Sequence, residues 1–122
     1  MPKNKGVARR ALLHLGEGHR VPVEPEEVFL VEADGTDTLV RTRGRRKLRD
    51  VRPFSEVLRR FPPELFVRVH RSRAVNIDRV SEIRRRSNTR DWELLLEPPA
   101  NTVVPVSREH LAALWAAYGE QD

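Results

Sequence analysis

Within the stretch FVRVHRSRAVNIDRV, residues 66–80, Arg71 and Arg73 are the residues whose chemistry most needs a reason. Strand side chains alternate between two faces, so one unbroken strand would place Val67, Val69, Arg71, Arg73, Val75 and Ile77 on the same side. Guanidinium groups cannot share an apolar face without partners, so the pattern predicts a break from His70 to Arg73 and a new strand from Ala74. HRSR then forms the crest of a loop, offering two guanidinium groups, an imidazole and a hydroxyl. Such a crest can hydrogen-bond phosphates and base edges together, and the planar arginine fork grips both in a two-point manner that lysine cannot. A solvated charged turn is the bland alternative.

The charge distribution favours a polyanion as partner. Net charge is +5, but residues 38–90 hold 17 Arg or Lys against 5 Asp or Glu, while the remaining residues hold 6 against 13. A concentrated cation between acidic ends suits nucleic acid first and an anionic membrane second. Twenty of the 23 basic residues are Arg; a GC-rich genome accounts for that total, though not for the clustering. The run RTRGRRKLR, residues 41–49, reads as a basic hairpin. Its Arg41, Arg43, Arg45, Arg46 and Lys47, with Arg68, Arg73 and Arg84 to Arg86, are expected to touch phosphates irrespective of sequence.

Other chemistry finds no foothold. His14, His19, His70 and His110 are scattered, there is no cysteine, and no Gly-rich phosphate loop, paired-carboxylate site or nucleophile elbow can be read. No catalysis, metal or cofactor is expected. His70 reads as a residue that holds its loop or touches a phosphate. No apolar run approaches the roughly 18 residues of a membrane span, and no signal-peptide core follows Met1, so a cytoplasmic location is expected.

The elements that must position these side chains are mostly strands. ALLHL and HRVPV flank Gly16-Glu17-Gly18, VFLVEA and TLVRTR flank Asp34-Gly35, and FVRV, AVNI, VSEIRR, WELLLE and TVVPV follow. Pro105 puts the last of these at a sheet edge or strand end. Two helices are predicted. Phe54, Val57, Leu58 and Phe61 form one apolar stripe before Pro62-Pro63, and Leu111, Leu114, Trp115 and Tyr118 form another behind Ser107 as N-cap. Arg108 then sits in a first helical turn, where the helix dipole disfavours a cation, which suggests a task for it at a phosphate or base. The fold class is therefore mainly β, with about eight to ten short strands and two short helices, in one domain from residue 10 to 122 behind a basic tail of residues 1–9. Two helices so far apart do not make a helix-turn-helix, so any DNA reading must use loops or strands.

Three blocks resemble successive signatures of the LytTR family, the DNA-binding domain of LytR/AlgR-type bacterial response regulators. They are EADGTDTLVRT, FPPELFVRVHRSRAVNIDRVSEIRR and VPVSREHLAAL; the central F-x-R-x-H-x-S-x-x-V-N is matched by Phe66, Arg68, His70, Ser72, Val75 and Asn76. The resemblance implies small stacked antiparallel sheets that insert loops into successive major grooves. Carried over by position, it makes Thr38, Arg71 and Arg108 base-contacting; His70 and Ser72, on the same loop as Arg71, are expected beside phosphates from their own chemistry. Family members often carry Asn-Tyr where this chain has Thr36-Asp37, and an acidic Asp37 is electrostatically awkward beside phosphates. A sequence-specific regulator of double-stranded DNA is implied, with two protomers on direct repeats. Only about ten residues precede the match, too few for a receiver domain, and Met1 favours a stand-alone regulator over an excised output domain. The rival readings are a non-specific RNA- or ribosome-associated basic protein, and a protein-interaction module whose basic hairpin meets an acidic partner.

Overall fold

Four consecutive apolar residues, Val28 to Val31, are wrong for a strand with one wet face and right for a strand buried on both. In the computed structural model, which describes residues 10–44 and 47–121, they open β3 (Val28–Asp34) and are all buried. Around it lie β4 (Asp37–Thr42), β5 (Leu48–Asp50), β6 (Phe66–His70) and β7 (Arg73–Asn76), forming an antiparallel sheet of order β5-β4-β3-β7-β6. A register shift between Val28 and Leu30 lets Val28 and Val31 face one core while Phe29 and Leu30 face the other.

The first core is closed by the hairpin of β1 (Ala11–Gly16) and β2 (His19–Val23) and by α1 (Phe54–Leu58). It contains Leu13, Val40, Phe54, Val57, Phe61 and Phe66. Covering the other face are β8 (Val80–Arg85), β9 (Trp92–Leu96) and β10 (Val103–Val106), in the order β10-β9-β8, with α2 (Leu111–Ala117). That second core holds Val69, Val75, Leu94, Leu96, Val106 and Leu114. Among the described residues, ten strands in three antiparallel sheets with two short helices agree with the expected fold class. Pro105 lies on the edge strand β10, where its missing N–H breaks no interior ladder.

Polar struts join the layers. The buried Asp50 carboxylate accepts the His14 N–H at 2.9 Å and the Arg52 N–H at 2.9 Å, and is gripped by the Arg52 guanidinium at 2.7 and 2.9 Å. Burial alone would push the Asp50 carboxyl up, but Arg52 and the two backbone donors outweigh it and hold the group below its ordinary value. Asn76, fully buried, donates to the carbonyls of Pro25 and Val28 and accepts the Asp78 N–H, closing the far end of β7.

Four local expectations change. The break in the central stretch is narrower than predicted: β6 runs through His70 and β7 starts at Arg73, leaving Arg71-Ser72 as a two-residue turn. A bulge between Arg68 and His70 re-aims the strand end, so simple alternation stops applying there. Ahead of α2, Arg108–His110 form a single 3-10 turn, so Arg108 is not in the first turn of the α-helix. Nor does the Ser107 hydroxyl cap it; it donates to the Val69 carbonyl at 3.2 Å and lies 2.8 Å from His110 Nδ1. Tyr118 leaves the expected stripe and is partly exposed, its hydroxyl donating to the Ile77 carbonyl at 2.7 Å.

Candidate nucleic-acid interface

Antiparallel order brings three turns to one end of the five-stranded sheet. Strand β3 ends at Asp34 beside the start of β7, with Glu32 opposite Arg73, and the Ala33 N–H donates to the Ser72 carbonyl at 2.9 Å. The end of β3 that leads into the β3–β4 turn therefore meets the Arg71-Ser72 turn. On the other flank the Ser107 N–H donates to the Val69 carbonyl at 2.9 Å, which fixes Arg108 next to the end of β6. Arg71 and Arg108 thus belong to adjoining turns.

Most of the central signature builds this end and does not face out from it. Phe66 and Val75 are core, and Asn76 is a buried strut. His70 Nδ1 lies 3.0 Å from the Ser72 hydroxyl and accepts the Ser72 N–H at 3.2 Å, an arrangement that suits the neutral ring with its proton on Nε2. Burial first, then Arg73 and Arg71, push its pKa below the ordinary value. This staple holds the turn that exposes Arg71, whose guanidinium has no partner among the described residues. Arg68 is exposed with its guanidinium 4.9 Å from the centre of the Phe54 ring.

Several of the expected contact residues already have partners within the fold. Thr38 is 0% exposed: it points into the sheet and its hydroxyl donates to the Arg52 carbonyl at 2.8 Å, so it is not available to a base. Arg73 is partly buried and paired with Glu32 across the β3–β7 ladder at 3.3 Å. Arg41 spends its guanidinium on the Ala100 carbonyl and the Thr102 hydroxyl, both at 3.2 Å, joining β4 to the turn before β10. Arg43 pairs with Glu27 at 2.9 Å. Arg43 and Lys47 flank the β4–β5 connection, which the strand order puts at the opposite end of the sheet from the Arg71 turn, about 17 Å away for a strand of this length. The expected basic hairpin is therefore not brought together with the Arg71 turn. Arg45, Arg46 and the tail of residues 1–9 lie outside the described residues.

The structure adds two features that linear reading missed. Arg49 on β5 reaches both acidic residues of the β3–β4 turn, Asp34 at 2.6 Å and Asp37 at 3.3 Å. Its positive charge offsets the carboxylates that looked awkward beside phosphates, and the Thr38–Asp50 and Leu39–Arg49 register sets that meeting. The second is the tip of the β8–β9 hairpin. Arg108 is 78% exposed and its contact to Asp91 is long, 3.7 Å, which brings the tip beside the Arg108 turn. Arg90 on that tip is exposed and without a partner among the described residues. Arg84 and Arg86 share Glu93, and Arg85 stacks 5.3 Å from the centre of the Trp92 ring. A basic count over residues 84–90 would have flagged Arg90; nothing linear pairs Arg49 with Asp34.

Among the described residues no group of three or more His, Cys, Asp or Glu side chains is placed to hold a metal ion, and no helix is long and apolar enough to cross a membrane. Residues 18–119 match the family described as LytTr DNA-binding domain. A solved structure described as the LytTr DNA-binding domain of a methyl-accepting/DNA response regulator from Bacillus cereus shares this fold. It is 21% identical, with a TM-score of 0.73 over 92% of this chain and 98% of that one. No curated protein matches significantly.

Proposed function

This chain belongs to the LytTr DNA-binding domain family, and from that premise we propose that it reads specific double-stranded DNA sequences by placing the Arg71 and Arg108 turns in the major groove. It acts as a transcription regulator by binding and carries out no reaction. The observation that supports this is the joining of exposed Arg71 and Arg108 through the Ser107–Val69 hydrogen bond, at a sheet end whose acidic turn is offset by Arg49. Arg71 is free to engage guanine O6 and N7, and the neutral His70 keeps an Nε2–H available to a phosphate.

Phosphate contacts in this reading come from Arg86 and Arg90 on the β8–β9 tip, with Arg68 on the α1 side. Contacts of that number would make affinity fall steeply with salt, each adding about 0.9 to the logarithmic slope. Two protomers on direct repeats follow from the family resemblance, and a ladder of two shifted species on a long natural site would support them.

Selection of sites from a random duplex pool tests the reading. An enriched motif is the expected result. Arg71→Ala should then flatten one position of that motif and cost about 1 to 3 kcal/mol on the preferred site. Equal affinity for every duplex, unchanged in the variant, would favour the non-specific basic protein.

A further inference from the structure

A cleft of about 460 Å³ runs along the flank of the molecule, between β1 and the chain that follows α1. Its floor and walls include Leu12, Phe61, Pro62 and Pro63, and its rim carries Arg10, Arg52, Arg59 and Arg60 with the His14 ring. None of these residues belongs to the turns that carry Arg71 and Arg108. The volume lies within the roughly 300 to 1,000 Å³ of small-ligand sites.

The rim cations differ in how far their charge is already used. Arg10 is paired with Glu24 at 3.0 Å, and Arg52 is held by Asp50 and by the Leu12 carbonyl at 3.0 Å. Arg60 donates to the Glu56 carbonyl at 3.3 Å and has a long contact to the Glu56 carboxylate at 3.9 Å, and Arg59 has no side-chain partner among the described residues. Two adjacent guanidinium groups therefore stand at an apolar wall with most of their hydrogen-bonding capacity open. We propose that this cleft binds a small organic anion with an apolar body, a carboxylate or phosphate monoester whose charged end meets Arg59 and Arg60 while its body lies on Phe61, Pro62 and Pro63.

His14 reports on the cleft independently. Burial comes first in lowering its pKa, but Arg52, Arg20 and Arg60 lower it further, and only Asp50 opposes them. The ring thus sits in a positive local field. An anion in the cleft offsets that field and raises the His14 pKa, whereas a neutral ligand of the same shape does not.

The experiment is a titration of the full chain with phenyl phosphate, following the His14 ring signals by NMR, with phenol as the neutral isostere. Saturable binding with an upward His14 titration shift is expected, with phenol at least tenfold weaker. In R59Q/R60Q, checked for folding by thermal melting, phenyl phosphate affinity should fall by roughly ten- to a hundredfold. Equal binding of phenol and phenyl phosphate would overturn the assignment, and that arm decides the matter even if the double variant melts early. So would undiminished binding in a folded R59Q/R60Q, or a His14 response to duplex DNA alone, which would make the cleft an extension of the nucleic-acid surface.

Discussion

Replacing Thr38 with valine separates a residue that reads DNA from one that holds the reader. The two side chains are nearly the same shape, and both are β-branched and suit β4, so no cavity or strand penalty enters. What disappears is the hydroxyl that donates to the Arg52 carbonyl at 2.8 Å, at a fully buried site. The bond is part-buried, so losing it costs about 0.5 to 1.5 kcal/mol. For a domain of this size that lowers Tm by roughly 2 to 9 °C. Thr38→Ser keeps the hydroxyl and should recover most of the hydrogen-bond loss, minus a methyl group. Differential scanning calorimetry measures the first effect, and site selection below the lowered Tm measures the second. The selected motif should be unchanged in Thr38→Val. A variant that keeps its Tm but loses base preference at one position would refute the burial argument and restore Thr38 as a contact.

Asp50→Asn leaves the Arg52 guanidinium without its carboxylate inside the fold, and breaking such a pair costs about 3 to 5 kcal/mol, so the urea midpoint should drop sharply. Asp91→Asn removes the carboxylate near Arg108 and should tighten duplex binding, while Arg108→Ala should weaken it; anisotropy titrations at fixed salt check both, and weaker binding by Asp91→Asn would count against Arg108 as a contact. His70 has a folded pKa below its unfolded value, so the unfolded chain takes up more protons. Its contribution to stability is complete above about pH 6.5 and is lost as pH falls below that; urea denaturation across this range should show it, and His70→Gln should flatten the dependence.

Much of this protein was legible without coordinates because its signals are local. Runs of apolar residues, turn dipeptides and the two helical stripes marked about eight to ten short strands and two helices, since period and punctuation depend only on neighbours along the chain. The out-of-place arginines in FVRVHRSR marked a turn for the same reason, and Arg71 and Arg108 were named from sequence and family resemblance. Only the tertiary structure decided which cations are free. Arg41, Arg73 and Arg49 look alike on paper, yet one joins two sheets, one is held across a ladder and one offsets an acidic turn. Partners 12 to 61 residues away in sequence set those outcomes, through register and strand order, and no local pattern encodes them. Thr38 shows the same limit: alternation gives it a face, but burial of that face depends on the hairpin and helix packed there from elsewhere in the chain.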